Sequence, residues 1–240
     1  AINDDFRDEL NRIVGEIELD PAIRCVVLQG AGDHFCAGGD VTVFREMLKL
    51  DSEQRRIHYR EFLHGVHVAL LGFARMPQPV VVRVQGAAAG IGLSFVLMAD
   101  LAIAADDAKF TLAYTKIGLS PDGSSTFYLP RTVGLKKAKE IAFLSDRFDT
   151  QTALDLGIVN QVVPLADLDA AVDELAQRLA HGASAAIART KALLNRAAHS
   201  SYADQLEAEV EYFAASAAGE DFIEGVTAFL EKRTPDFKGK

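Results

Sequence analysis

Pro79-Val-Val-Val-Arg-Val-Gln-Gly-Ala-Ala-Ala-Gly-Ile-Gly-Leu-Ser-Phe95 is the stretch on which the fold turns. Val80 to Val84 is a β-branched run that reads as a buried strand, with Pro77 and Pro79 as stops ahead of it. Gly86 and Gly90 permit a tight turn and close backbone approach, and Leu93 to Ala99 reads as the opening of a buried helix. A helix start offers free N–H groups and the positive end of a dipole, a natural seat for an anionic group. Three readings fit. Gly86-x-x-x-Gly90-x-Gly92 resembles a dinucleotide turn, with Asp106 about 20 residues on as a ribose-binding acid. Alternatively, the N–H groups stabilise an oxyanion forming on a carbonyl substrate. The plain reading is glycines that let a helix pack on a sheet.

Outward from this stretch, buried strands alternate with helices. Ile2, Phe6, Leu10, Ile13 and Ile17 stripe an amphipathic helix that stops at Asp20-Pro21. Ile23 to Leu28 reads as a strand leading into the loop Gln29 to Asp40. Phe62, Val66, Ala69, Leu70 and Phe73 stripe a long helix beginning near Ser52. Leu101 to Ala104 is the next strand, and Phe110 to Gly123 reads as loop. Helices follow over Ser124 to Val133 and Leu135 to Leu144, then a short helix and the strand Ile158 to Val163. This order predicts an α/β core over residues 1–165. From Ala166 the pattern is helical to the end, so 166–240 is expected to pack on the core and on other subunits.

The bulk properties narrow the function. With 34 Asp+Glu against 25 Lys+Arg the net charge is −9, which argues against a nucleic-acid partner. Arg55, Arg56 and Arg60 read as a solvated helix face. The two cysteines, Cys25 and Cys36, match a reducing compartment. The longest apolar run, between Arg83 and Asp100, is too broken by glycine for a membrane span. No signal peptide is read, and a soluble cytoplasmic protein is expected.

Several chemistries fail their own tests. A short-chain dehydrogenase needs Tyr-x-x-x-Lys, yet Tyr59, Tyr114, Tyr128, Tyr202 and Tyr212 are followed four places on by Leu63, Gly118, Thr132, Leu206 and Ser216. Glu61, His64 and His67 share a helical face but have no second copy and no His-Glu-x-x-His, so no metal site is expected. There is no Gly-x-Ser-x-Gly elbow. Two loops remain beside the opening stretch: Phe35-Cys-Ala-Gly-Gly-Asp-Val41, whose plain reading is a turn with Asp40 as helix N-cap, and the turn Pro121-Asp122-Gly123.

Taken in order, these segments resemble the crotonase (enoyl-CoA hydratase/isomerase) superfamily. The likeness runs through Val26-Val-Leu-Gln-Gly-Ala-Gly32, Phe35 to Asp40, Gln85 to Gly92, Gly118 to Ser125, Ala153 to Asn160 and Phe229 to Phe237. It implies a spiral of ββα units with a C-terminal helical trimerisation region, assembled as a homotrimer or a dimer of trimers. It also implies an acyl-CoA thioester substrate and no cofactor besides that coenzyme A. The family pattern places a strand pair, with a basic residue for the adenine end, ahead of the position of Ile2.

By the same resemblance, the N–H groups of Gly39 and Ile91 form an oxyanion hole for the thioester carbonyl. Ala37, Gly38, Asp40, Val41, Gly90 and Tyr114 are implied in substrate binding. The two glutamates of enoyl-CoA hydratases fall at Ser94 and Tyr114 here, neither of which is a carboxylate. Asp122 falls where Asp-dependent enoyl-CoA isomerases carry their acid, and that pattern is the nearest one. One carboxylate suffices for a 1,3-proton shift. The resemblance leaves alternatives: a hydratase, a non-catalytic acyl-CoA-binding scaffold, or a 4-chlorobenzoyl-CoA dehalogenase-like hydrolase. In the last, the aspartate attacks the ring and His67 is the candidate for activating water.

Overall fold

The computed structural model describes residues 1–239. Helix α1 (Asp4–Leu19) starts at Asn3, whose side chain accepts the Phe6 N–H at 3.0 Å, so one orphan donor of the first turn is satisfied. Ile2 lies outside this helix: it forms an isolated parallel bridge with Gly39 and is buried in the core. Strand β1 (Val26–Gln29) is shorter than the predicted Ile23 to Leu28. Helix α2 (Val41–Met47) was not predicted as an element, although its N-cap Asp40 was: the Asp40 carboxylate accepts the Thr42 N–H at 2.8 Å. Helix α3 (Ser52–Arg75) opens with a capping box between Asp51 and Gln54.

Strand β2 (Val80–Val84) matches its prediction, and β3 (Ala87–Ala89) follows at once. Helix α4 (Ile91–Met98) begins two residues before the predicted start and is buried at every residue. Strands β4 (Leu101–Ala105) and β5 (Lys109–Thr111) come next, then a 3₁₀ turn over Tyr114–Ile117. The predicted loop from Phe110 therefore holds the end of a strand and a 3₁₀ turn. Its short strand escapes a periodicity reading because three residues are too few to show alternation.

Helices α5 (Ser125–Val133) and α6 (Leu135–Leu144), strand β6 (Phe148–Asp149), helix α7 (Thr150–Asp155) and strand β7 (Gln161–Val163) complete the α/β part. The last strand covers only the end of the predicted Ile158 to Val163. Helices α8 (Leu168–Ala180), α9 (Ser184–Ala197), α10 (Tyr202–Ala217) and α11 (Glu220–Glu231) follow without a strand among the described residues.

A parallel sheet in the order β1-β2-β4-β7 and a smaller sheet, β3-β5-β6, carry the site. Parallel strands need crossovers, and here helices provide them, which buries both faces of the central strands β2 and β4. Val80, Val82, Val84, Ala102 and Ala104 enter the main core, whereas Val81, Ile103 and Ala105 point the other way and pack on Leu168 and Val172 of α8. That alternation explains why β2 reads as an unbroken apolar run. At about 1.5–3 kcal/mol for each fully buried valine- or isoleucine-sized side chain, both faces contribute to stability.

Candidate active site

The site is built where two chain segments run side by side. Phe35 N–H donates to Gln85 O at 2.8 Å and Cys36 N–H to Ala87 O at 3.0 Å, while Ala89 N–H donates back to Cys36 O at 2.8 Å. Cys36 and Ala88 form a parallel bridge, and a Cβ at Gly38 would stand 3.4 Å from Ala89 O, so the segments leading into Gly39 and Ile91 stay in close approach. Gly92 makes this approach possible: a Cβ there would stand 2.2 Å from Cys36 O. Ile2 fixes the far end, donating to Gly38 O at 3.0 Å and accepting from Asp40 at 3.1 Å.

Ile91 is the first residue of α4, where an N–H has no partner within the helix. Among the described residues, no protein acceptor takes the Gly39 or the Ile91 N–H. Two donors, one with the helix dipole behind it, therefore remain for an oxygen that gains negative charge.

Asp122 lines the same cavity as these donors and is brought in by the turn before α5. Its backbone carbonyl accepts Ser125 Oγ–H at 2.9 Å and Ser94 Oγ–H at 3.1 Å. Its carboxylate Oδ1 accepts the hydroxyl of Tyr114. Burial pushes the Asp122 carboxyl above its ordinary value, while the Tyr114 hydrogen bond and the nearby His67 charge pull it back. Burial and the Asp122 charge hold the Tyr114 hydroxyl far above its usual range, so it stays protonated and donates.

These groups share one cavity of about 360 Å³. Its wall includes Asp122, Gly39, Ile91, Ala37, Gly38, Asp40, Val41, Gly90 and Tyr114, nine of the residues singled out from sequence. His67 is not on that wall, although its charge acts on Asp122. Sequence reasoning missed the opposite wall, formed by His58, Tyr59, Phe62 and Leu63 of α3 with Ile117 and Leu119. The signal was present: His58/Phe62 and Tyr59/Leu63 are two i, i+4 pairs, a face that periodicity assigns to core. Among the described residues, no group of three His, Cys, Asp or Glu is placed to hold a metal ion, and no helix is long and apolar enough to cross a membrane.

An α/β fold with two unpartnered backbone donors and a partly buried carboxylate on the wall of one apolar cavity defines a class by its chemistry: such an arrangement is able to polarise a carbonyl beside an acid–base group. The comparisons narrow it. The family profile for enoyl-CoA hydratase/isomerase matches residues 1–240, and the chain belongs to that family. It is 34% identical over 240 residues to the 1,2-epoxyphenylacetyl-CoA isomerase of Escherichia coli K12, covering 100% of this chain and 90% of the relative. It is 30% identical to the short-chain-enoyl-CoA hydratase of Clostridium acetobutylicum, covering 97% of this chain and 87% of the relative. The crystal structure of an enoyl-CoA hydratase from Polaromonas sp. JS666 superposes with a TM-score of 0.90 at 32% identity, covering 97% of this chain and 89% of that one. The chain is an acyl-CoA enzyme of the crotonase superfamily.

Proposed function

We propose that this enzyme is an enoyl-CoA isomerase with Asp122 as its proton carrier. The observation that supports this reading is the identity of the ionisable groups on the cavity wall. The carboxylates there are Asp122 and Asp40, the latter engaged as the N-cap of α2, while the two positions that the family resemblance gives to hydratase glutamates are Ser94 and Tyr114. The E. coli relative is itself an isomerase by name; hydratases stand among the relatives too, so the carboxylate inventory carries the choice.

The chemistry balances without a resident cofactor. The ionised Asp122 takes a proton from C2 of a 3-enoyl thioester. The C–H electron pair moves toward the thioester carbonyl, whose oxygen becomes an enolate held by Gly39 and Ile91 N–H. One such donor is worth about 3–4 kcal/mol in the transition state. The carboxylic acid then returns its proton to C4, the C=C bond moves to C2–C3, and Asp122 is ionised again. Coenzyme A enters and leaves as part of the substrate. Ala37 to Val41 would run along that moiety.

Exposed apolar residues on α10 and α11, among them Phe213, Ile223, Phe229 and Leu230, support a homotrimer or a dimer of trimers. Sedimentation of the purified protein tests this: a monomer at micromolar concentration contradicts it. The activity is tested with trans-3-hexenoyl-CoA and crotonyl-CoA in parallel, following double-bond position against water addition. Migration of the double bond supports the isomerase. Hydration of crotonyl-CoA without any migration overturns it.

A further inference from the structure

Helix α4 is apolar from Ile91 to Met98 except at Ser94, which is fully buried. A buried hydroxyl costs free energy unless it is bonded, and in a helix the usual partner is the carbonyl four residues back. Here that partner, Gly90 O, lies at 3.5 Å, the edge of hydrogen-bond range. The shorter bond, 3.1 Å, goes across 28 positions of sequence to the carbonyl of Asp122. Ser125, the other side chain on that carbonyl, belongs to the same turn as Asp122, so Ser94 is the one that ties the turn to another element.

Packing repeats the connection. A Cβ at Gly123 would stand 2.9 Å from Ile91 Cγ1 and 3.0 Å from both Cβ and Oγ of Ser94. The turn bearing the carboxylate thus sits directly on the first turn of α4, whose opening residue supplies an oxyanion donor. On its other side the same aspartate is held by Tyr114, whose hydroxyl donates to the Asp122 carboxylate.

We infer that Ser94 is a positioning residue that fixes the Asp122 carboxylate relative to the Ile91 N–H, so that C2, C4 and the thioester oxygen are reached from one rigid frame. This rests on the reading of Asp122 as proton carrier. Proton transfer within a bound complex loses about 10²-fold for a misplacement of about 1 Å. Because Ser125 still holds the carbonyl, removal of the Ser94 hydroxyl loosens the carboxylate without releasing it. The wall from Ala37 to Val41 is untouched.

The test uses the full-length enzyme and trans-3-hexenoyl-CoA in deuterated buffer, with Ser94→Ala and Ser94→Cys. The thiol of the second variant fills the space but is a weak donor, and it keeps the test open if the alanine variant folds poorly. The expected result is a kcat roughly 10–100-fold lower with KM changed less than about 2-fold. Deuterium incorporated at C4 per turnover should rise, because a loosened carboxyl exchanges its proton before returning it. A wild-type kcat in both variants, or a loss confined to KM, overturns the assignment. Asp122→Asn, run alongside, separates the two levels. An inert Asp122→Asn beside wild-type Ser94 variants removes only the role of Ser94, whereas a fully active Asp122→Asn removes the isomerase reading as well.

Discussion

The hydroxyl of Tyr114 donates to Oδ1 of Asp122, and no described residue donates to Oδ2. One carboxylate oxygen is thereby held by the protein, and in the proposed mechanism the other meets the substrate. Since Tyr114 stays protonated, the bond favours the ionised form of Asp122 and opposes the rise that burial causes.

Tyr114→Phe removes that opposition, so the Asp122 pKa rises further. The ionised carboxylate is the form that takes the C2 proton, so the rate climbs with pH through this pKa. The acid limb of the kcat/KM–pH profile should move to higher pH in the variant, with activity recovering on the alkaline side. A limb that stays in place, or moves to lower pH, contradicts the assignment.

The same burial links Asp122 to stability. Its folded pKa lies above the unfolded one, so the folded state holds the proton more tightly. Stability from this group is full below the unfolded pKa and falls as pH rises through the folded pKa. Asp122→Asn should therefore raise the thermal midpoint, by roughly 2 °C or more at about pH 8 and by less at about pH 4. Scanning calorimetry at the two pH values reads the difference; an equal gain at both contradicts the linkage.

Gly123→Ala places a Cβ against Ile91 and Ser94 and forces a side chain onto a φ of +62°. The backbone conformation alone costs about 1–2 kcal/mol, and the clash pushes Asp122 away from α4. Urea unfolding should show a loss of at least that size, with kcat lowered more than 10-fold. A variant of wild-type stability and kcat contradicts the tight seat of this turn.

Lys191 tests how the helical region is attached. Buried on α9, its Nζ sits 2.8 Å from Asp100 and donates to Gln78 O at 2.9 Å. Lys191→Ala leaves Asp100, 26% exposed and still bonded to the Val80 N–H, without its cation, a change costing about 1–3 kcal/mol, less than for a fully buried pair. Chemical denaturation that shows under 1 kcal/mol of loss contradicts that anchoring role.

Much of this architecture was legible in the residues. The β-branched run Val80 to Val84 and the glycines after it locate a strand and a turn by local chemistry. The stripe from Phe62 to Phe73 locates α3 by its period. Strand β3 and the 3₁₀ turn at Tyr114 were not legible, because pieces of three or four residues owe their conformation to neighbours distant in sequence: Ala87 to Ala89 is extended by pairing with Lys109 to Thr111. Ile2 reads as part of a helical stripe but is held by Gly38 and Asp40 instead. At the site, Asp122, Gly39 and Ile91 came through family resemblance, since no spacing rule brings residues so far apart together. The link from Ser94 to Asp122 has no sequence signal, because a serine in an apolar helix looks like a tolerated exception until its partner is seen.

The central claim is that Asp122 moves the proton. Rates of double-bond migration in trans-3-hexenoyl-CoA, followed with water addition to crotonyl-CoA, compare wild type and Asp122→Asn directly. The account predicts migration by the wild type and a loss of about 10²–10⁴-fold in the variant, with acyl-CoA binding retained. Migration at the wild-type rate in Asp122→Asn would contradict it.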